Sequence, residues 1–144
     1  MTGVWVVLAV LVLSTAFGLA HRARSGRIRT RRAGPGPHDG DDLRPVLATL
    51  GQTPGERATL LQFSSAFCAP CRATRRILSE VEALLPGVKH VELDAEQHLD
   101  LVRRLDISKT PTTLVLDADA RVRARAVGQP RKAEVVAAVA DAVP

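Results

Sequence analysis

The sequence predicts an α/β domain preceded by one N-terminal transmembrane helix. Two observations predict the domain. The first is that short apolar runs typical of buried strands alternate with segments whose apolar residues recur at helical spacing. The second is that only a short turn separates the last two predicted strands. A third observation predicts the transmembrane helix, because residues 4–20 carry no charged side chain. A chain of 144 residues is long enough for one modest domain and an appendage.

The apolar N-terminal segment has the length of a membrane span. With Thr2 and Gly3 the uncharged run reaches 19 residues, and about 20 are needed to cross a hydrocarbon core. Trp5 near one end is typical of the membrane interface. A cleaved signal peptide is the alternative, but it requires positive charge before its apolar core, and no Lys or Arg precedes this one. We therefore predict a retained anchor over residues 1–21, with residues 4–20 in the lipid bilayer.

The charge distribution predicts the orientation of this anchor. The chain has 20 basic and 15 acidic residues, and six arginines lie directly after the apolar span: Arg22, Arg24, Arg27, Arg29, Arg31 and Arg32. Lys and Arg prefer the cytoplasmic side, so we predict a single-pass protein of the cell membrane with its domain in the cytoplasm. Without these six, the chain has 14 basic and 15 acidic residues. The sequence does not favour nucleic-acid binding, because the globular part shows no basic face with interleaved aromatic residues.

The order of elements follows from composition and periodicity. Residues 22–40 are basic and then rich in Gly and Pro, which predicts a linker, and residues 41–144 form the domain. A short helix is predicted at 41–50. Strands are predicted at 58–63, 88–93, 112–116 and 121–127, and helices at 73–85, 94–105 and 131–143. Residues 117–120 form the turn between the last two strands, and the outward charges of 121–127 predict an edge strand.

Both cysteines of the chain, Cys68 and Cys71, lie where the first of these strands ends and a helix begins. A helix N-terminus presents N–H groups and positive dipole charge, which lowers a thiol pKa from about 8.5 to roughly 3.5–7.5. Cys68 is predicted to be the exposed attacking sulfur, and Cys71 lies one turn later and can close a disulfide on it. Pro70 suits the first turn, where its missing N–H costs nothing. Nearby arginines add positive charge: Arg72, Arg75 and Arg76.

Other interpretations of the cysteine pair are less favoured. A zinc site requires about four ligands, and neither a second Cys pair nor a spaced His pair exists. His90 and His98 are single and are predicted to be surface residues. Two structural cysteines or a soft-metal chaperone remain alternatives. The strand-to-helix context favours redox chemistry.

The chain resembles the thioredoxin family in motifs that fall in the family's order and spacing. They are Phe67-Cys68-Ala69-Pro70-Cys71, the strand end Val91–Asp94, Lys109-Thr110-Pro111-Thr112 and Val127-Gly128. The resemblance implies a thioredoxin-like three-layer α/β/α sandwich with a central mixed sheet. It implies that Pro111 is cis and lies beside the Cys pair, and that the backbone of Thr110 pairs with an extended substrate.

Three departures from the family pattern concern the site. Phe67 replaces the usual Trp before the first Cys, which keeps an apolar lip for substrate but loses the indole donor. Ala69 replaces the usual Gly. Gln62 occupies the position where the family often buries an acid that accepts the proton of the second thiol. Gln62 cannot accept a proton, so Cys71 requires water or another base, and Glu96 is one candidate.

We therefore predict a membrane-tethered thiol–disulfide oxidoreductase that reduces protein disulfides through the Cys-Ala-Pro-Cys dithiol, without a cofactor or metal. Its predicted partners are protein disulfide substrates, an electron donor of the thioredoxin-reductase type or in the membrane, and the lipid bilayer, but not nucleic acid. The alternatives are a metal-binding module or a redox-inert thioredoxin-fold interaction module. Stoichiometric copper or zinc binding without disulfide reduction would indicate the first alternative, and activity unchanged by loss of both thiols the second.

Overall fold

The computed structural model describes residues 2–24, 28–30, 38 and 40–143. Its helices are α1 (Thr2–Arg24), α2 (Arg44–Thr49), α3 (Ala69–Leu84), α4 (Leu99–Arg104) and α5 (Lys132–Ala142). Its strands are β1 (Ile28–Thr30), β2 (Ala58–Ser64), β3 (Val88–Asp94), β4 (Thr112–Asp117) and β5 (Val122–Val127).

Helix α1 contains the apolar segment that the sequence predicts to be a membrane anchor. Its residues Gly3–Ala20 have a mean hydropathy of 2.3, and none of this window is buried against the rest of the chain. A helix of 23 residues is about 35 Å long, enough to cross a hydrocarbon core of about 30 Å. By length and composition α1 is therefore a candidate membrane span, and a signal sequence near an N-terminus has the same properties.

The sheet is mixed, as the family resemblance implied, with strand order β1-β5-β4-β2-β3. Strands β2 and β3 run parallel, whereas β4 is antiparallel to both β2 and β5. Phe63 near the end of β2 pairs with Thr112 at the start of β4, and Thr112 also pairs with Val127 at the end of β5. The segments that follow β2, precede β4 and follow β5 therefore meet at one edge of the sheet.

The prediction that residues 121–127 form an edge strand is wrong. Strand β1 pairs antiparallel with β5, with Ile28 opposite Ala126 and Thr30 opposite Ala124. The backbone groups of β5 on that side thus have a strand partner, and its charged residues do not mark an edge. Strand β1 has three residues and lies in the arginine-rich segment that composition assigns to the linker, so no run of alternating apolar residues reveals it.

Two apolar layers cover the two faces of the sheet and complete the three-layer sandwich. One layer packs with α2 and α4 and includes Leu43, Leu47, Leu61, Phe63, Leu105 and Leu114. The other packs with α3 and α5 and includes Leu60, Leu78, Val81, Val115, Val135 and Val139. Neighbouring residues of one strand point to opposite faces. Along β2, Leu61 and Phe63 therefore belong to the layer of α2 and α4, whereas Ala58 and Leu60 belong to the layer of α3 and α5.

Helix ends differ from their predicted positions because of local hydrogen bonds. Helix α3 begins at Ala69, four residues earlier than predicted, since Cys68 caps it. Helix α4 begins only at Leu99. The carboxylate of Asp94 accepts hydrogen bonds from the backbone of Glu96 at 2.9 Å and from the side chain of Gln97 at 3.0 Å. These bonds hold residues 94–97 as a turn, which suits Asp better than a helix interior does.

Candidate functional site

The cysteine pair lies at the N-terminus of α3, as predicted. Cys68 is the N-cap residue, and Cys71 lies in the first turn, joined to it by a disulfide with an S–S distance of 2.06 Å. The Sγ atom of Cys68 accepts a hydrogen bond from the backbone N–H of Cys71 at 3.1 Å. Pro70 occupies a first-turn position, where no intrahelical N–H bond is lost. The helix terminus thus directs an N–H donor at the sulfur of Cys68.

The two sulfurs differ in their access to solvent. Cys71 is only 2% exposed, whereas Cys68 is partly exposed, and Ala69 and Pro70 beside it are exposed. The Phe67 side chain is fully exposed. An exposed phenyl ring directly before an accessible sulfur forms an apolar surface at the mouth of the site. A large molecule can therefore reach Cys68 but not Cys71.

The loop before β4 lies beside the cysteine turn. The Thr110–Pro111 peptide bond is cis, as the resemblance implied. The hydroxyl of Thr110 lies 3.1 Å from the hydroxyl of Ser65, the residue that follows β2. The backbone N–H of Gly128 donates to the carbonyl of Pro111 at 2.7 Å. The sheet edge therefore brings together the cysteine turn, the proline loop and the end of β5, which are separate in the sequence.

Gln62 lies directly beneath the second cysteine. Its side chain is 0% exposed, in agreement with the resemblance to a family that often buries an acid at this position, and its Nε2 atom donates to the backbone carbonyl of Cys71 at 3.0 Å. It pairs across the sheet with Glu92 of β3 and Thr113 of β4. A neutral amide thus occupies the position where the family pattern has an acid.

His90 was predicted to be a surface residue, and this prediction is wrong. Its side chain is partly buried, and its Nε2 atom lies 3.1 Å from Oε1 of Gln62. On β3, His90 pairs with Leu60 of β2, which places it on the face that α3 covers. Side chains alternate along β3, so residues 88, 90 and 92 share one face, and this pattern is consistent with partial burial of His90. The contact between His90 and Gln62 has no signal in the sequence, because the two residues lie on different strands.

Arg75 and Glu92 form an ion pair on this side of the site. Arg75 on α3 donates two hydrogen bonds to the carboxylate of Glu92, at 2.5 and 2.8 Å, so its positive charge is largely compensated and not directed at Cys68. Burial raises the pKa of Glu92, but the hydrogen bonds from Arg75 and Ser64 and the charge of Arg75 together outweigh it, and the pKa is lowered. Burial is the main cause that lowers the pKa of His90.

Glu96 does not lie beneath Cys71. It is exposed on the turn before α4 and lines a groove of about 580 Å³ together with Val46 and Leu50 of the α2 region. That groove is on the α2 and α4 side of the sheet, whereas Gln62 faces α3. The expectation that Glu96 serves as the base for Cys71 is therefore wrong, because the sheet separates the two.

The fold and the site together define a thioredoxin-fold protein with a disulfide-forming Cys-x-x-Cys pair. A family model described as thioredoxin matches residues 50–141, and the chain belongs to the thioredoxin family. It is 28% identical to thioredoxin H5 of Oryza sativa subsp. japonica over 76 residues, which is 53% of each chain. It is 28% identical to thioredoxin H4-1 of the same organism over 86 residues, 59% of this chain and 66% of the relative. The chain thus spans about half to two thirds of these relatives.

Solved structures show the same fold at low identity. The chain aligns with thioredoxin NaTrxh of Nicotiana alata at a TM-score of 0.57 and 20% identity, over 72% of this chain and 89% of that one. It aligns with the reduced thioredoxin pre-protein of Schistosoma mansoni at a TM-score of 0.55 and 18% identity, over 72% and 92% of the two chains.

Proposed function

We propose that this protein is a membrane-tethered thiol–disulfide oxidoreductase that reduces protein disulfides. The observation that carries the proposal is the difference between the two sulfurs at the start of α3. Cys68 is accessible and accepts an N–H hydrogen bond at 3.1 Å, and Cys71 is 2% exposed. An accessible sulfur at a helix N-terminus is the one whose thiolate is stabilised and can attack a partner.

The reaction is a two-step exchange of disulfide bonds. The thiolate of Cys68 attacks one sulfur of the substrate disulfide, so a mixed disulfide forms and the other substrate sulfur leaves as a thiolate. Cys71 then loses its proton and attacks Sγ of Cys68, which releases the second substrate sulfur. The two leaving sulfurs each take up a proton. The substrate gains two electrons and becomes a dithiol, while the cysteine pair is oxidised to the disulfide seen in the structure.

Substrate binding is assigned to Phe67, Thr110 and Pro111. The exposed ring of Phe67 offers apolar contact next to Cys68. Thr110 is partly exposed and lies two residues before the start of β4, so an extended substrate segment can align with its backbone as an added strand. Its hydroxyl bond to Ser65 holds that backbone near the cysteine turn.

The proposal includes a membrane anchor with the domain on the cytoplasmic side. Helix α1 has the length and hydropathy of a span, and six arginines follow the apolar segment between residues 22 and 32. Reversed insertion would carry all six across the bilayer against the usual bias. In the reducing cytoplasm the pair rests as a dithiol, and its electrons come from a thioredoxin-reductase-like protein or from a donor in the membrane.

Reduction of insulin disulfides by the full chain tests the activity. Cys68→Ser should abolish turnover, because it removes the attacking sulfur. Cys71→Ala should retain attack and accumulate substrate as mixed disulfides that are visible on non-reducing gels. Leu84→Ala, exposed at the far end of α3, is the control and should keep wild-type turnover. Full activity of Cys68→Ser would refute the proposal, and tight copper or zinc binding by an inactive wild type would favour a metal-binding module.

Labelling of intact cells with a membrane-impermeant thiol reagent tests the placement. Cys68 should react only after lysis if the domain lies in the cytoplasm. The variant Gly3→Cys is the matched control and should react on intact cells. Labelling of Cys68 without lysis would place the domain outside and favour a role in extracytoplasmic disulfide chemistry.

A further inference from the structure

Gln62 lies between the cysteine turn and His90, and its two amide atoms bond in opposite directions. Nε2 lies 3.0 Å from the carbonyl oxygen of Cys71, and Oε1 lies 3.1 Å from Nε2 of His90. A carbonyl only accepts hydrogen bonds, so the amide nitrogen has to face Cys71. The amide oxygen consequently faces His90, and Nε2 of His90 has to donate.

This arrangement determines where His90 can take up a proton. In the neutral ring Nε2 carries the hydrogen, and Nδ1 is the basic atom. Nδ1 lies 3.5 Å from Oγ of Ser79 on α3, on the other side of the ring from Gln62. An added proton therefore enters at Nδ1 and leaves the bond to Gln62 in place. That bond then has a charged donor, which makes it stronger, and no proton has to pass through the amide.

The chain of contacts continues to the attacking sulfur. Gln62 bonds the carbonyl of Cys71, and the N–H of Cys71 donates to Sγ of Cys68 at 3.1 Å. The carbonyl and the N–H of Cys71 belong to different peptide units, so a charge on His90 acts on the sulfur of Cys68 through space, and such an interaction is stronger away from water. Gln62 is 0% and Cys71 2% exposed, so the middle of the chain is shielded from solvent.

We propose that His90, held behind the cysteine turn by its bond to the buried Gln62, is a positioning residue of the cysteine pair, and that its positive charge stabilises the thiolate of Cys68 electrostatically. The inference rests on the proposed disulfide exchange and concerns its acid limit. Acid removes the thiolate of Cys68 and at the same time charges His90. Charging of His90 opposes the loss of the thiolate, so attack by Cys68 persists to lower pH than the cysteine turn alone allows.

The groups around His90 determine the pH range of this effect. Burial is the main influence and lowers its pKa, the negative charges of Glu82 and Glu92 oppose this, and the positive charge of Arg75 adds to it. Glu82 on α3 also accepts a hydrogen bond from the backbone N–H of His90 at 3.1 Å. Because the pKa stays below the ordinary 6.5, His90 is neutral at neutral pH. The stabilising charge is therefore present only on the acid side.

Alkylation of Cys68 by iodoacetamide tests the proposal in the full chain carrying Cys71→Ala. That substitution makes Cys68 the only thiol and keeps the backbone carbonyl and N–H of residue 71. Adding His90→Gln, which retains a side-chain N–H donor but cannot become charged, should slow alkylation about threefold at about pH 5.5 and leave it unchanged at about pH 8. Adding His98→Gln, on the α4 side of the sheet, is the matched control and should follow the parent at both pH values.

A second measurement needs no substitution. Reciprocal coupling requires that a thiolate at Cys68 favour the charged form of His90. NMR titration of the His90 ring in the full chain should therefore give a higher midpoint in the dithiol form than in the disulfide form. This measurement decides the matter if His90→Gln does not fold. Equal midpoints in both redox forms, or a His90→Gln alkylation profile parallel to that of the parent at all pH values, would overturn the proposal. Neither readout uses a protein substrate, so the proposed function can stand or fall separately.

Discussion

The hydroxyl groups of Ser65 and Thr110 lie 3.1 Å apart and join the two loops that border the cysteine pair. The residues are 45 positions apart in the sequence, and each lies next to a strand end at the same sheet edge. Their bond connects the segment that carries Cys68 to the segment that is proposed to align the substrate.

Removal of this bond should weaken substrate binding more than folding. Ser65→Ala and Thr110→Val should each lower the free energy of unfolding by about 0.5–1.5 kcal/mol, as for a typical net hydrogen bond. Each should raise KM for insulin and leave kcat nearly unchanged. In a double-mutant cycle the two substitutions should be non-additive. Strictly additive effects on KM and on stability would show that the bond does not couple the two loops.

Phe67 should affect binding of substrate and not stability. Its side chain is fully exposed, so Phe67→Ala removes no buried apolar contact. The substitution should change the free energy of unfolding by less than about 0.5 kcal/mol. KM for a protein disulfide should rise severalfold, while the rate with a small-molecule disulfide stays near that of the wild type. Leu84→Ala, at the opposite end of α3 and 58% exposed, is the control. An equal change in KM for both variants would argue against a specific role of Phe67.

Gln62→Asp should change both the pH profile of turnover and stability. Burial raises the pKa of an introduced carboxylate above the usual value near 3.9, and His90 beside position 62 is neutral at neutral pH and adds no charge to offset this. A raised pKa means that the folded chain keeps its proton longer than the unfolded chain, so stability falls as pH rises through the folded pKa. Urea titrations at several pH values measure the loss, and Gln62→Asn is the control that shortens the side chain without charge. A stability difference between the two variants that is independent of pH would contradict this account.

Mild acid should destabilise the native protein through His90. Its folded pKa is lower than the ordinary 6.5, mainly because of burial, so the unfolded chain binds this proton first as pH falls. The contribution is therefore complete above 6.5 and is lost as pH falls through the lower folded pKa. Urea unfolding between about pH 7.5 and about pH 5 should show a flatter curve for His90→Gln than for wild type. His98→Gln should keep the wild-type slope, and an unchanged slope in His90→Gln would count against the prediction.

Arg75→Gln should have a small, salt-sensitive effect on stability. Arg75 and Glu92 form a two-point hydrogen-bonded ion pair, but the Arg side chain is 54% exposed. An exposed pair contributes about 0.2–1 kcal/mol, and the loss should shrink in about 1 M salt. The pair lowers the pKa of Glu92 from 4.5, and in Arg75→Gln this pKa should rise. The stabilisation that the pair adds at pH values above 4.5 should therefore be lost. Arg76→Gln on the same helix is the control, and equal salt-independent losses in both would rule out a role for the pair.

Local patterns were sufficient to predict the elements that build the site. The apolar run of β2 followed by Cys68 predicted the strand-to-helix junction, and the resemblance to the family predicted that position 62 is buried. The motif around Pro111, compared with a known family, predicted the cis bond and its position. These features depend on residues close together in the sequence, or on a motif whose spacing is itself informative.

The tertiary structure alone decided which side chains share a face and a partner. Gln62 and His90 are 28 residues apart and meet because β2 and β3 pair in parallel with one register, under the cover of α3. Glu96, on the turn after β3, lines the groove on the α2 and α4 side of the sheet, away from Gln62. Strand β1 has only three residues. Nothing in its sequence predicts a strand, and it is defined by its backbone pairing with β5. Sequence periodicity determines which residues of an element are buried, whereas strand register and helix packing determine what each of them contacts.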